Sequence, residues 1–218
     1  MSLPQPETVG PAATAPALRV VHDAVEVDLP RAEAAAADLL TALGLDIRTE
    51  GLARTPARMA AAFAEMFQPR AFDLTTFPID EGYDELVLAH SLPVHSVCEH
   101  HLLPFVGVAH VGYLPGARIL GLSKLARVVE LFARRPQVQE RLTRQVADWL
   151  HENLSPRGVG VVVEAEHMCM TVRGVQAVGA TTVTSALLGQ LREDAATRAE
   201  FFSLAARSPR RGLGGHLG

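Results

Sequence analysis

The stretch SVCEHHLLPF, residues 96–105, puts a thiol, a carboxylate and two imidazoles on four consecutive positions. The chain has only two cysteines, and the second lies in EHMCM, where His167 precedes Cys169 by two residues. C-x-x-H is a common spacing for two ligands of one tetrahedral metal, because a tight turn aims both side chains inward. Residues i and i+2 of a strand share a face, so a strand through His167 and Cys169 aims both into one space. If the two segments serve one centre, the fold has to bring residues 98–101 against 167–169. Together they offer two thiolates and up to three imidazoles, more than a closed structural site needs. Three ligands, an open position and histidines to spare are what catalytic zinc requires. The bland alternative is two unrelated buried cysteines, the commoner fate of isolated Cys. Spacing leaves open whether His100 or His101 is the ligand.

Hydrophobic periodicity supplies a scaffold for such a convergence. ELVLAHSLPVHSVCEH and FVGVAHVGYLP are β-branched and partly alternating, which predicts two strands with CEHHLLP at their junction. GLSKLARVVELFARRP carries apolar residues at 122, 125, 128, 129 and 132, a helical stripe that stops before Pro136. QVQERLTRQVADWLHENL continues as a second amphipathic helix with Val138, Leu142, Val146, Trp149 and Leu150 inward. RGVGVVVEAEHMCMTVRGV and GATTVTS read as strands again, and REDAATRAEFFSLAAR as helical. Upstream, a helix starts at Pro30 and ends near Gly44, and a second has Thr55 as N-cap and Pro56 in its first turn. PRAFDLTTFPIDEGYD, between that helix and the first strand, reads as a loop.

The sum is an α+β plan, an N-terminal helical region followed by a ββααββ unit. The expected divisions are a disordered Pro/Ala/Thr-rich tail at 1–17, the helical region at 18–80, the catalytic unit at 81–207 and a flexible tail at 208–218. No internal repeat appears at solenoid periods.

Composition excludes several function classes. A net charge of −4 gives no basic field for nucleic acid. No apolar run approaches membrane-spanning length, and the N-terminus lacks a basic start followed by an apolar core. Two distant cysteines are no disulfide framework, so a cytoplasmic location is expected. Of 20 Lys and Arg residues only Lys124 is lysine, in a chain biased toward arginine. A lysine that survives such a bias marks a place where a point-like ammonium is needed, or persists by drift. Lys124 and Arg127 share one helix face, Ser123 adds a hydroxyl, and helix N-terminal amides attract anions. A phosphate fits that group; a solvated basic stripe is the plain alternative. Gln139 and Glu140 fall in the first turn after Pro136, where the helix dipole favours an acid in any case. Arg173 follows Cys169 by four residues; it adds positive charge near the metal or pairs with Glu164 or Glu166.

These motifs in this order resemble the zinc-dependent GTP cyclohydrolase I family. GLARTPAR, SVCEHHLLPFVG, HVGYLP, GLSKLARVVELFARRPQVQERLT, EHMCMTVRGV, TTVTS and RED carry the likeness, which runs from about Leu40 to Ala206. The resemblance implies a tunnelling fold, in which antiparallel strands from many subunits close a barrel with helices outside. It implies a homodecamer with active sites between subunits, and hydrolysis of GTP to dihydroneopterin triphosphate and formate. By the same resemblance Cys98, His101 and Cys169 are the zinc ligands, and His100 and His167 transfer protons. Ser123, Lys124, Arg127 and Arg173 contact the triphosphate, and Gln139 with Glu140 belong to the guanine-binding segment. The chemistry suits the residues: zinc lowers the pKa of its water toward neutrality, an imidazole titrates where N7 must gain a proton, and a carboxylate accepts from guanine N1–H and the exocyclic amine together.

Two positions depart from the family pattern. Many members carry Lys or Arg where this chain has Val108 and Ala177, which thins positive charge at the rim and bears on GTP affinity more than on reaction type. Two other readings come from different classes. A nitrile reductase of the tunnelling fold uses a nucleophilic Cys and a nicotinamide cofactor and needs no zinc triad. A zinc-stabilised binding module has the metal but no turnover.

Overall fold

The computed structural model describes residues 18–20, 26–79 and 82–206. The tails expected at 1–17 and 208–218 lie outside the described residues.

Four strands carry the molecule: β4 (Val87–Cys98), β5 (Pro104–Leu114), β8 (Gly158–His167) and β9 (Thr181–Gly189), each antiparallel to the next. Between β5 and β8 run two helices, α3 (Leu122–Ala133) and α4 (Gln139–Leu154), so the ββααββ plan holds. A two-residue strand, β7 (Pro136–Gln137), joins the β4 edge in parallel, giving the order β7-β4-β5-β8-β9. The N-terminal region supplies β1 (Leu18–Val20), α1 (Leu29–Ala42) and α2 (Thr55–Met66). α5 (Met168–Thr171) follows β8, and α6 (Gln190–Glu193) and α7 (Ala195–Ala205) follow β9.

The segment read as a loop before β4 contains two strands. β2 (Phe72–Leu74) pairs with β1, and β3 (Thr76–Pro78) pairs with β6 (Arg118–Leu120), both antiparallel. Three residues are too few for a period-2 pattern to stand out from Pro and Asp punctuation, although Phe72 and Leu74 are buried on either side of exposed Asp73. Thr55 is the first helical residue rather than the cap: its N–H already donates to the Leu52 carbonyl, and Arg54 occupies the cap position. In α1, Asp28 Oδ1 caps Arg31 N at 3.0 Å, Pro30 sits in the first turn, and Gly44 takes φ +85° just past the end.

The main core lies between the sheet and α3/α4. Val159, Val161, Val163 and Ala165 of β8 and Ala109, Val111 and Tyr113 of β5 face Leu125, Val128, Val129, Leu142, Val146 and Leu150. Leu122, expected inward, is 70% exposed in the first turn of α3; Leu131 and Ala133 are buried instead. Trp149 is only partly buried, against Phe72 at 6.2 Å between centroids. On the opposite sheet face a second core holds Leu86, Leu114, Leu191 and Phe201. It needs Gly112 and Gly160, cross-strand partners, because a Cβ at Gly160 meets the Phe201 ring at 2.8 Å.

One irregularity decides which residues of β4 face the helices. Between Ala89 and Leu92 the register with β5 shifts, and Ser91 takes φ +55°. Val87 and Ala89 pack inward before this bulge, and Val94, Ser96 and Cys98 after it, so the bulge switches parity and turns the Cys98 thiol toward the core. Ser96 Oγ then donates to the Ala133 carbonyl at 2.7 Å, fixing this end of β4 to the C-terminus of α3.

Candidate metal centre and active site

The end of β4 folds into a tight turn. Leu102 N donates to the Cys98 carbonyl at 2.8 Å, Cys98 N donates to Leu103 O at 2.9 Å, and Leu102 takes φ +54°. His100 Nδ1 lies 3.7 Å and His101 Nδ1 3.9 Å from Cys98 Sγ. Glu99 points elsewhere, into an ion pair with Arg141 of α4. Its N–H donates to the Gln137 carbonyl at 3.0 Å, so β7 and α4 brace the turn.

The second cysteine arrives differently from the strand reading. β8 ends at His167, and Cys169 sits in the single turn of α5. That turn still delivers the thiol. Ligand atoms of Cys98, His101 and Cys169 all lie within 4.8 Å of one another, the one such metal-competent group among the described residues, and His100 is not part of it. Zinc with sulfur at about 2.3 Å and nitrogen at about 2.0–2.1 Å needs its ligand atoms roughly 3.5–3.8 Å apart, so only a small contraction separates this cluster from a coordinating one. Burial and then the neighbouring Cys98 sulfur push the Cys169 thiol above its ordinary pKa, while Arg173 pulls it down. Two sulfurs so close ionise together only with a cation between them, and the donor set fits that requirement.

His167 faces α4. Its Nε2 lies 2.7 Å from Gln139 Oε1, and its ring stacks on Phe105, its cross-strand partner, with centroids 4.6 Å apart and planes 13° from parallel. Burial pushes its pKa below the ordinary value, and nearby Glu140 opposes that shift. Glu140 itself is exposed at the start of α4, while Gln139 is 1% exposed.

Three of the residues expected to take an anion, Ser123, Lys124 and Arg127, stand on α3. Its N-cap, Gly121, makes no side-chain cap bond; Ser123 is exposed and Lys124 half-buried. Arg127 donates to Glu130 at 2.9 Å, and Arg70 and Arg134 reach the same carboxylate at 2.6 and 3.0 Å. Burial alone would raise the Glu130 pKa, but the three guanidinium groups outweigh it and hold the carboxyl below its usual range. Arg134 also donates to the Glu65 and Gln68 carbonyls, tying α2 to α3. Arg173 pairs with neither Glu164 nor Glu166; it donates to the Cys169 carbonyl at 3.4 Å. No hydrogen bond or ion pair among the described residues joins Ser123, Lys124 or Arg127 to the Cys–His cluster.

Sequence reasoning missed Phe105, Glu130 and the Gln139–His167 contact. Phe105 stands opposite His167 only through the β5–β8 register, which the folded sheet sets. Nothing in the sequence pointed to the other two.

A ββααββ unit whose four long strands are antiparallel, with a Cys–His–Cys cluster beside the ends of β4 and β8, defines a tunnelling-fold protein with a metal-competent centre. The chain belongs to the GTP cyclohydrolase I family, whose model matches residues 32–206. It is 57% identical to GTP cyclohydrolase 1 of Mycobacteroides abscessus over 188 residues, covering 83% of this chain and 91% of that one. It is 56% identical to the Thermobifida fusca enzyme of the same name (82% and 88% covered) and 53% identical to that of Corynebacterium glutamicum (84% and 96%). Among solved structures, the apo archaeosine synthase QueF-Like aligns at TM-score 0.40 and 19% identity over 49% of this chain and 96% of that one. The curated relatives favour neither a nitrile reductase nor a non-catalytic module.

Proposed function

We propose that this chain is a zinc-dependent GTP cyclohydrolase I that converts GTP and water to 7,8-dihydroneopterin triphosphate and formate. The observation that carries this reading is the closure of Cys98, His101 and Cys169 into one cluster in a chain of this family. Those three residues would hold the zinc, and the ion, when bound, supplies Lewis acidity that lowers the pKa of water toward neutrality.

The remaining work falls to side chains of this chain. Glu140, exposed at the N-terminus of α4, accepts from guanine N1–H and the 2-amino group, a donor pair that adenine lacks. Ser123, Lys124 and the open N-terminal amides of α3 take the triphosphate, with Arg127 held in orientation by Glu130 and Arg173 adding charge beside Cys169. Gln139 shares the guanine-binding segment, with its side-chain amide engaged inside the protein. His167 and exposed His100 move protons to and from the purine nitrogens as the C8 bonds break.

A closed homo-oligomer, expected to be a decamer, completes the site. Two features support it. The outer edge of β9 pairs with no described strand, and among the described residues no bond joins Ser123, Lys124 or Arg127 to the Cys–His cluster. No helix of the described residues is long and apolar enough to cross a membrane, and a cytoplasmic location is part of the proposal.

The test is incubation of zinc-loaded protein with GTP, following formate and the fluorescent pterin formed on oxidation. Equal amounts of both are expected. Their absence from correctly assembled, zinc-replete protein would overturn the assignment.

A further inference from the structure

Gln139 is nearly inaccessible, and every polar atom of its side chain is already engaged. Its Nε2 donates to the backbone carbonyls of Val163 at 3.0 Å and Thr182 at 2.9 Å, and lies 3.1 Å from Thr184 Oγ1. Carbonyl oxygens only accept, so the nitrogen end of the amide has to face β8 and β9. A turned-over amide would set Oε1 against two acceptors. The hydroxyls agree: Thr143 Oγ1 donates to the Gln139 carbonyl at 2.8 Å, so Thr184 Oγ1 donates to Thr143 at 2.7 Å and is left accepting from Gln139 Nε2. Oε1 is thereby aimed at His167 Nε2, 2.7 Å away, and an amide oxygen requires a proton on that nitrogen. No described group bonds His167 Nδ1, and the Phe105 ring holds the plane of the imidazole.

We propose that Gln139 is a positioning residue whose side-chain oxygen locks His167 in the Nε2–H tautomer, leaving the lone pair on Nδ1. The inference rests on the cyclohydrolase reading for what that nitrogen meets. The Nε2–H donates to Gln139 Oε1 throughout, so the imidazole keeps one orientation and one bare nitrogen. Gln139 therefore acts through His167 and makes no side-chain contact with guanine, leaving Glu140 as the base-recognising carboxylate of this segment.

Solid-state NMR of the zinc-loaded full-length protein with ¹⁵N-labelled histidine reads the tautomer directly, the His167 signals being assigned by their loss in His167→Asn. A protonated Nε2 and a bare Nδ1 are expected; an Nδ1–H tautomer in the unsubstituted protein would overturn the proposal. Gln139→Met should lower kcat by about 10–100-fold with the KM for GTP unchanged, and should add no further loss to His167→Asn. A raised KM with kcat kept would mean that Gln139 binds the base itself, which also overturns it. If Gln139→Met does not assemble, the tautomer in the unsubstituted protein still decides. If the protein turns over no GTP, the cyclohydrolase reading fails while the NMR result still tests the positioning.

Discussion

Glu140→Gln separates a recognition carboxylate from an ordinary helix-start acid. Glu140 is exposed in the first turn of α4 and makes no hydrogen bond or ion pair with the described residues; it lies near enough to His167 to oppose the burial shift there. If the helix dipole is its only business, neutralising it costs about 0.3–1 kcal/mol of stability and leaves turnover alone. Gln matches Glu in helix propensity, so no backbone penalty is added. If the carboxylate accepts from both guanine donors, the amide retains one acceptor and sets its NH₂ against a donor. That forfeits a charge-assisted hydrogen bond and strands a polar group, about 2–4 kcal/mol, or roughly 30- to 700-fold in kcat/KM. GTP turnover, zinc content, oligomer size and thermal midpoint are measured on one preparation. The expected pattern is a large loss of kcat/KM with the other three unchanged. Inosine triphosphate, which lacks the 2-amino donor, provides the control: the preference for GTP over it should shrink in the variant. Near-normal kcat/KM with GTP would refute base recognition by Glu140.

Cys169→Ser should remove most of the zinc found by atomic spectroscopy while shifting the metal-free protein's denaturant midpoint less than Cys98→Ser does, because Cys98 is a buried member of the main core and Cys169 is only partly buried; full zinc occupancy in both variants would refute the ligand set. Gly160→Ala forces a Cβ to within 2.9 Å of three atoms of the fully buried Phe201 ring, an overpacking worth about 1–3 kcal/mol, and Phe201→Leu in the same chain should recover part of it; an unchanged urea midpoint for the single variant would show that the second core yields freely. Burial and then His90 push the His110 pKa down against a weaker pull from Glu164, so the unfolded chain takes up this proton first as pH falls. Stability from this site is therefore complete above about pH 6.5 and is lost toward lower pH. His110→Asn, which keeps an acceptor for Ser91 N–H, should flatten that dependence, and identical urea midpoints against pH in both proteins would refute it.

The fold was legible wherever a pattern ran long enough to outvote its neighbours. Long β-branched, partly alternating runs and three turns of helical stripe identified β4, β5, α3, α4 and β8, and the shorter GATTVTS identified the first half of β9. The three-residue strands β2 and β3 were not legible, because each is stabilised by a partner remote in sequence and carries almost no internal signal. The parity switch in β4 belongs with them. Alternation through LAHSLPVHSVC can be read from either end, and only the bulge at Ser91, set by tertiary packing, decides that Cys98 faces inward.

The site divides along a similar line. Residue types at ligand spacing pointed to a metal-competent group, and family likeness chose His101 over His100; in the structure ligand atoms of Cys98, His101 and Cys169 lie within 4.8 Å of one another. Cys169 reached its place by a route other than the expected one. A strand would set His167 and Cys169 on the same side, whereas the turn of α5 separates their tasks, sending the thiol to the turn after β4 and leaving the imidazole against Gln139 and Phe105. That division suits the proposed chemistry, in which a histidine sharing the thiol's direction would compete for the metal and lose the lone pair that proton transfer requires. It also explains why spare histidines near a C-x-x-H motif are a poor guide to ligands. What distinguishes His167 from a ligand is an amide fixed by backbone carbonyls of β8 and β9, residues 163 and 182, whose nearness to position 139 exists only once the sheet has closed over α4.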